Sequence, residues 1–137
     1  MPVSVCYNVI DIQTSERDRL SRIRQALREL AKEIEQLVPV FAERLPLVKG
    51  TVYEQRRKCG KPSCHCATGE PHSSMILSRS EKGRTRLVAI RSGHLKDLQV
   101  LTERYQRFRR ARARLGQIYK KMISLIDQLE EARRREP

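Results

Sequence analysis

At 137 residues the chain has room for one domain and hardly for two. Only 39% of the residues are hydrophobic and 4% aromatic, with no tryptophan, which excludes a large globular core. A net charge of +13 and a pI near 10.3 point to an anionic partner, nucleic acid ahead of an acidic membrane surface.

The charge is uneven. Residues 1–50 carry 8 Lys/Arg against 7 Asp/Glu, residues 51–92 carry 9 against 3, and residues 93–137 carry 12 against 6. The anion-facing surface is therefore expected in the middle and C-terminal parts. No apolar run approaches the ~20 residues of a membrane span. The start, "MPVSVCYNVIDI", lacks the basic start and apolar core of a signal peptide. A reducing cytoplasm is the expected setting, where clustered thiols bind metal more often than they form disulfides.

In chain order, residues 1–14 alternate weakly, with Val3, Val5, Tyr7 and Val9 on one parity, and read as an edge strand or loose arm. Cys6 stands alone there as a small apolar residue. A helix follows from Ser15 to Leu37, opened by a Ser15/Asp18 capping box. Leu20, Ile23, Leu27, Leu30, Ile34 and Leu37 keep the 3–4 spacing of a coiled-coil seam. Pro39 and Pro46 are expected to end the helix and stiffen a connector to residue 49.

Residues 50–92 read as a small β module. "TVYEQRRK", "MILSR" and "TRLVAI" are strand-like, and "SEKG" has the composition of a hairpin loop. A second helix is expected from about Leu95 to Ala132, within a segment 93–137. Leu98, Leu101, Tyr105, Phe108, Arg112, Leu115, Tyr119, Met122, Ile126 and Leu129 hold its 3–4 repeat, and Ala111, Ile118, Leu125 and Ala132 add a neighbouring stripe. Arg112 in the seam is expected to pair with Glu29 or Glu33, to fix register, or to reach solvent. The two helices would span roughly 35 Å and 57 Å, and covering the longer one suggests a homodimer. The fold class is α+β: one long helix, a two- or three-stranded antiparallel sheet with a cysteine loop, and a longer helix, the helices forming a coiled coil or bundle in one domain.

"RRKCGKPSCHCATGEPH" carries the chemistry. Cys59, Cys64, Cys66 and His72 are spaced C-x4-C-x-C-x5-H, and three thiolates with one imidazole make a closed tetrahedral Zn²⁺ set. His65 competes with His72 as the fourth ligand. A hairpin this poor in aromatics needs the metal, because its binding free energy becomes folding free energy. Arg56, Arg57, Lys58 and Lys61 crowd the loop, and Arg84 and Arg86 lie on the hairpin. Arg107, Arg110, Arg114 and Lys121 recur along the second helix, on the face away from its apolar seam. These are the expected phosphate contacts, since arginine's planar fork bonds two oxygens at once.

"GTVYEQRRKCGKPSCHCATGEPH", "KGRTR" and "YQRFRRARARL" resemble a family of small prokaryotic proteins of unknown function, often encoded near mobile elements. The resemblance covers about residues 50–110 and implies metal positions at Cys59, Cys64, Cys66 and His72. After the histidine the family pattern continues Gly-Pro and aromatics, whereas this chain reads "SSMIL". The resemblance hints at a link to DNA. The resulting expectation is a non-enzymatic, zinc-stabilised nucleic-acid-binding accessory protein, with DNA favoured over RNA and no small-molecule substrate. The alternative is a coiled-coil zinc adaptor for a recombinase or transposase. No phosphate-cradling glycine loop, HExxH or paired carboxylates point to an enzyme.

Overall fold

The structure, a computed structural model, describes residues 6–137, with side chains from Thr14 onward. The expected arm at 1–5 and the Cys6 side chain lie outside the described residues. The elements run α1 (Cys6–Ala42), β1 (Thr51–Arg57), β2 (His72–Glu81), β3 (Arg84–Ala89) and α2 (Leu95–Arg133). Two compact units result. One is Met1–Ala42 with Ala111–Pro137, the other is Glu43–Arg110, and α2 contributes to both.

In the first unit, α1 and the second half of α2 lie antiparallel. Arg19 reaches Gln128 (3.5 Å) while Glu33 takes both arms of Arg114 (2.5 and 2.8 Å), so positions on the two helices rise in opposite senses. Ile23 is buried on α1, and Leu20, Leu27, Leu30, Ile34 and Leu37 are half-buried, as the 3–4 spacing predicts. On α2 the buried residues are Ala111, Ile118 and Leu125. The stripe expected to be secondary is therefore the seam. Leu115, Met122 and Leu129 flank it, while Arg112, Tyr119 and Ile126 are exposed. Two overlapping 3–4 repeats share this helix, and α1 covers only one of them.

Three expectations are corrected. α1 is helical from Cys6, so residues 6–14 form neither strand nor arm, and Ser15 caps nothing. Pro39 lies inside α1, which continues to Ala42. A proline forfeits one backbone hydrogen bond, but near the end of a helix the half-buried Val40 and Phe41 hold the last turn in place. Consequently α1 and α2 have 37 and 39 residues, and the length mismatch from which a second copy was inferred is absent.

In the second unit, three strands form an antiparallel sheet in the order β1-β2-β3. The central strand buries Ile76 and Leu77 on its two faces. β2 and β3 close through Lys82 and Gly83, both at positive φ (51° and 76°), the requirement of a type I′ turn between paired Glu81 and Arg84. The connector after α1 is tied to α2. Val48 donates to the Leu101 carbonyl (3.1 Å), Arg104 to the Pro46 carbonyl (3.1 Å), and Gln106 to the Gly50 carbonyl (3.0 Å) and Thr51 Oγ (3.1 Å). These bonds fix where β1 starts, and hence where it delivers the cysteine loop. Among the described residues no helix is long and apolar enough to cross a membrane.

Candidate metal centre

β1 ends at Arg57 and β2 begins at His72, and the ladder pairs these two residues. Segment 58–71 is therefore a long hairpin loop whose ends are held at one strand spacing, about 4.8 Å. The loop folds through short local bonds. Gly60 (φ 80°) turns the chain back immediately after Cys59. The Lys61 carbonyl accepts from the Cys64 amide (3.1 Å) and the Cys64 carbonyl from the Ala67 amide (3.1 Å). A 3-10 turn at His65–Ala67 follows, and Gly69 donates back to the His65 carbonyl (2.9 Å).

The turns bring four donors together. The Sγ atoms of Cys59 and Cys66 lie 3.5 Å apart, and Cys64 Sγ lies 3.2 Å from His72 Nε2. All four ligand atoms are within 4.8 Å of one another. Tetrahedral zinc with bonds of about 2.3 Å to sulfur sets ligand-to-ligand edges of about 3.8 Å, so one ion fits among them with adjustments of a few tenths of an ångström. The three thiols are free, with no disulfide competing for them. Soft sulfur and imidazole donors suit zinc and related thiophilic ions and disfavour calcium or magnesium. Cys66 is fully buried, and it is the one buried residue between 58 and 71; Cys64 is half-buried, and Cys59 and His72 are exposed.

The electrostatics favour the ligating form at Cys59 and Cys64, while at Cys66 and His72 the metal would have to displace a proton. The Lys61 amide, then His72 and the neighbouring thiols, lower the Cys59 thiol to about 6. The Cys66 amide pulls the Cys64 thiol down as well. At Cys66 the Cys59 amide pulls downward, but burial and the adjacent thiols outweigh it and the thiol is pushed up. His72 is raised, because Cys59 and then Cys64 hold its proton. Thiolates stabilised by backbone N–H donors are the ionised form that a metal requires.

Of the two candidate histidines, His72 joins the cluster. His65 stands beside it, its ring edge-on to His72 (centroids 5.1 Å apart) and its Nδ1 3.8 Å from Cys64 Sγ. Sequence reasoning missed a polar network on the strands next to His72. Ser73 on β2 is the ladder partner of Arg56 on β1 and donates diagonally to Glu54, two residues earlier on β1, which also pairs with Arg56 at 3.5 Å. The Ser73 hydroxyl and then Arg56 hold the Glu54 carboxyl below its usual range. The runs of polar residues in "EQR" and "HSS" were the available signal.

The basic residues sort into two groups. Arg56 pairs with Glu54, Arg86 with Glu81 (3.2 Å), Arg107 with Glu43, and Arg114 with Glu33. Arg114 therefore turns to the flank of the α1 seam, not away from it, and takes the acid expected to serve Arg112, which is itself exposed. Glu43 was not anticipated, since only folding places it opposite Arg107, 64 positions away. By contrast Arg57, Lys58, Lys61, Arg84, Arg110 and Lys121 are exposed and have no carboxylate partner among the described residues. Lys58 and Lys61 lie on the cysteine loop with Arg57 at its entrance, Arg84 flanks the β2–β3 turn, and Lys121 belongs to the helix pair.

A family model described as "Domain of unknown function (DUF6788)" matches residues 20–100, a span that includes the sheet and all four ligand candidates. No curated protein and no solved structure matches the chain.

Proposed function

Since this chain belongs to the DUF6788 family, a domain of unknown function, we propose that it is a non-enzymatic, zinc-stabilised module that binds nucleic acid, DNA in preference to RNA, through the phosphates. The observation that carries the reading is the Cys59, Cys64, Cys66 and His72 cluster, with three exposed, carboxylate-free cations at Arg57, Lys58 and Lys61 on and beside the same loop. A zinc ion would hold that loop rigid, so its cations meet a phosphate backbone without first losing conformational freedom. With all four positions filled by protein, such an ion has no place for substrate and serves structure. Base-edge readout is not required, so discrimination among sequences is weak.

Titration of the zinc-loaded chain against fluorescent duplex and single-stranded oligonucleotides tests this. Three phosphate contacts give a slope of about −2.7 in log affinity against log salt, or about 40-fold weaker binding between 50 and 200 mM salt. Substituting Arg57, Lys58 and Lys61 together by alanine removes that slope. Binding indifferent to salt, or none at low salt, sinks the reading. A second reading, a zinc adaptor for a protein partner such as a recombinase, is favoured by β3, which is exposed at all of its residues with Leu87 and Val88 outward. In that case Leu87→Ser, and not the triple alanine variant, abolishes assembly with the partner.

A further inference from the structure

From Ala111 to Arg133, α2 has a second apolar stripe that α1 does not cover. It follows Arg112, Gly116, Tyr119, Ile123, Ile126 and Glu130, at intervals of 4, 3, 4, 3 and 4, and lies about 110° around the helix from the buried seam. Tyr119, Ile123 and Ile126 are 55%, 57% and 50% exposed. Three large apolar side chains in one line, each at least half in water, are unusual for a helix that is already partnered.

The stripe is also symmetric. Reading from its middle, Tyr119 and Ile123 are equidistant, then Gly116 and Ile126, then Arg112 and Glu130. We infer that this face pairs antiparallel with the same face of a second copy of the chain, about a two-fold axis that passes between Tyr119 and Ile123. In that arrangement Tyr119 meets Ile123 of the second copy, Ile126 settles over its Gly116, and Arg112 meets its Glu130, each contact occurring twice.

Charge and shape independently select this occupant. A parallel, in-register pair would set Arg112 against Arg112 and Glu130 against Glu130, whereas the antiparallel pair sets opposite charges together at both ends. Glu130 is 60% exposed and among the described residues pairs at the surface with Arg134, so a second arginine can share it. Gly116 weakens an exposed helix relative to alanine, and within the chain a Cβ there would meet nothing within 4 Å. Open space above a helical glycine, beside isoleucines, is what a close-approaching helix uses. Lys120 lies near the axis, on the flank of the stripe, where its stem can cover apolar surface while its charge reaches water. The inference concerns the helix pair alone and does not depend on nucleic-acid binding.

Sedimentation equilibrium of the full zinc-loaded chain tests it, with circular dichroism confirming that each variant keeps its helix content. The wild type is expected to be in reversible monomer–dimer equilibrium. Ile123→Asp, at a site exposed in the single chain, is expected to raise the dimer dissociation constant by more than about 100-fold by setting two carboxylates against apolar surface. Arg112→Glu is expected to raise it by about 10-fold, and adding Glu130→Arg in the same chain to restore it. A wild type still monomeric at about millimolar chain, where even weak association leaves a measurable dimer, overturns the proposal. So does a dimer indifferent to Ile123→Asp, or a charge swap that fails to restore association.

Discussion

The loop between β1 and β2 buries one residue, Cys66, and that residue is a ligand candidate; the helix pair buries Ile23, Ala111, Ile118 and Leu125, all of them apolar. One part of the molecule would thus be closed by coordination and the other is closed by contact. The two kinds of closure fail differently. Contact between apolar surfaces is graded, so losing some of it leaves a weaker version of the same packing. Coordination is all or none at this size, because a loop with no apolar core has nothing to fall back on.

The largest expected effect follows from that contrast. Removing the metal with a chelator, or changing Cys66 to Ser, is expected to abolish zinc stoichiometry and hydrogen-exchange protection across 58–74, while α1 and the C-terminal half of α2 stay protected. A loop equally protected with and without metal would erase the distinction. Acid should produce the same separation. The Cys59 thiol, lowered to about 6, takes up a proton as the pH falls through slightly acidic values, His72 is raised and so holds its proton more readily than an ordinary imidazole, and protons displace metal. Zinc release is therefore expected before any change in the helix pair.

The second effect is graded. Ile118 is fully buried in the helix seam, and Ile118→Ala is expected to cost about 2–5 kcal/mol there. On a domain of this size that lowers the thermal midpoint by on the order of 10 °C, with zinc content unchanged. A loss of zinc in this variant would mean that the two closures are coupled.

The same contrast explains what the sequence disclosed. The clustering of Cys59, Cys64, Cys66 and His72 was legible because thiol and imidazole chemistry is carried by residue type at short spacing, and the turns from Gly60 to Gly69 are local. The Lys82–Gly83 turn and the α1 seam were legible for the same reason, one from backbone preference and the other from a single unambiguous repeat. The seam of α2 was not. Its apolar positions fit two phases equally well, and only the partner helix decides between Ile118 and Tyr119. The range of α1 was misjudged because alternation near the start and a proline at 39 are weak local signals that extended helical packing overrides. Arg107 and Arg114 looked free for phosphate because their acids, Glu43 and Glu33, are distant in sequence.

The smallest expected effect probes that last pair. Hydrogen bonding to Arg114, with its charge, holds the Glu33 carboxyl below its usual range. A depressed carboxyl contributes stability that is present above its unfolded value, about 4.3, and is lost as the pH falls through the lower folded value. Glu33→Gln is therefore expected to weaken the helix pair slightly at neutral pH and not at all once the wild-type carboxyl is protonated. Arg114 is exposed and Glu33 half-buried, so added salt should shrink the difference. Hydrogen exchange of the α1 amides at neutral and strongly acidic pH reads this directly, and a difference that persists in acid would show that Glu33 acts through packing instead of charge. Because the Cys59 thiol, at about 6, takes up its proton at higher pH than this carboxyl, the cysteine loop and the helix pair are expected to lose their supports in sequence, at separate points of one acid titration.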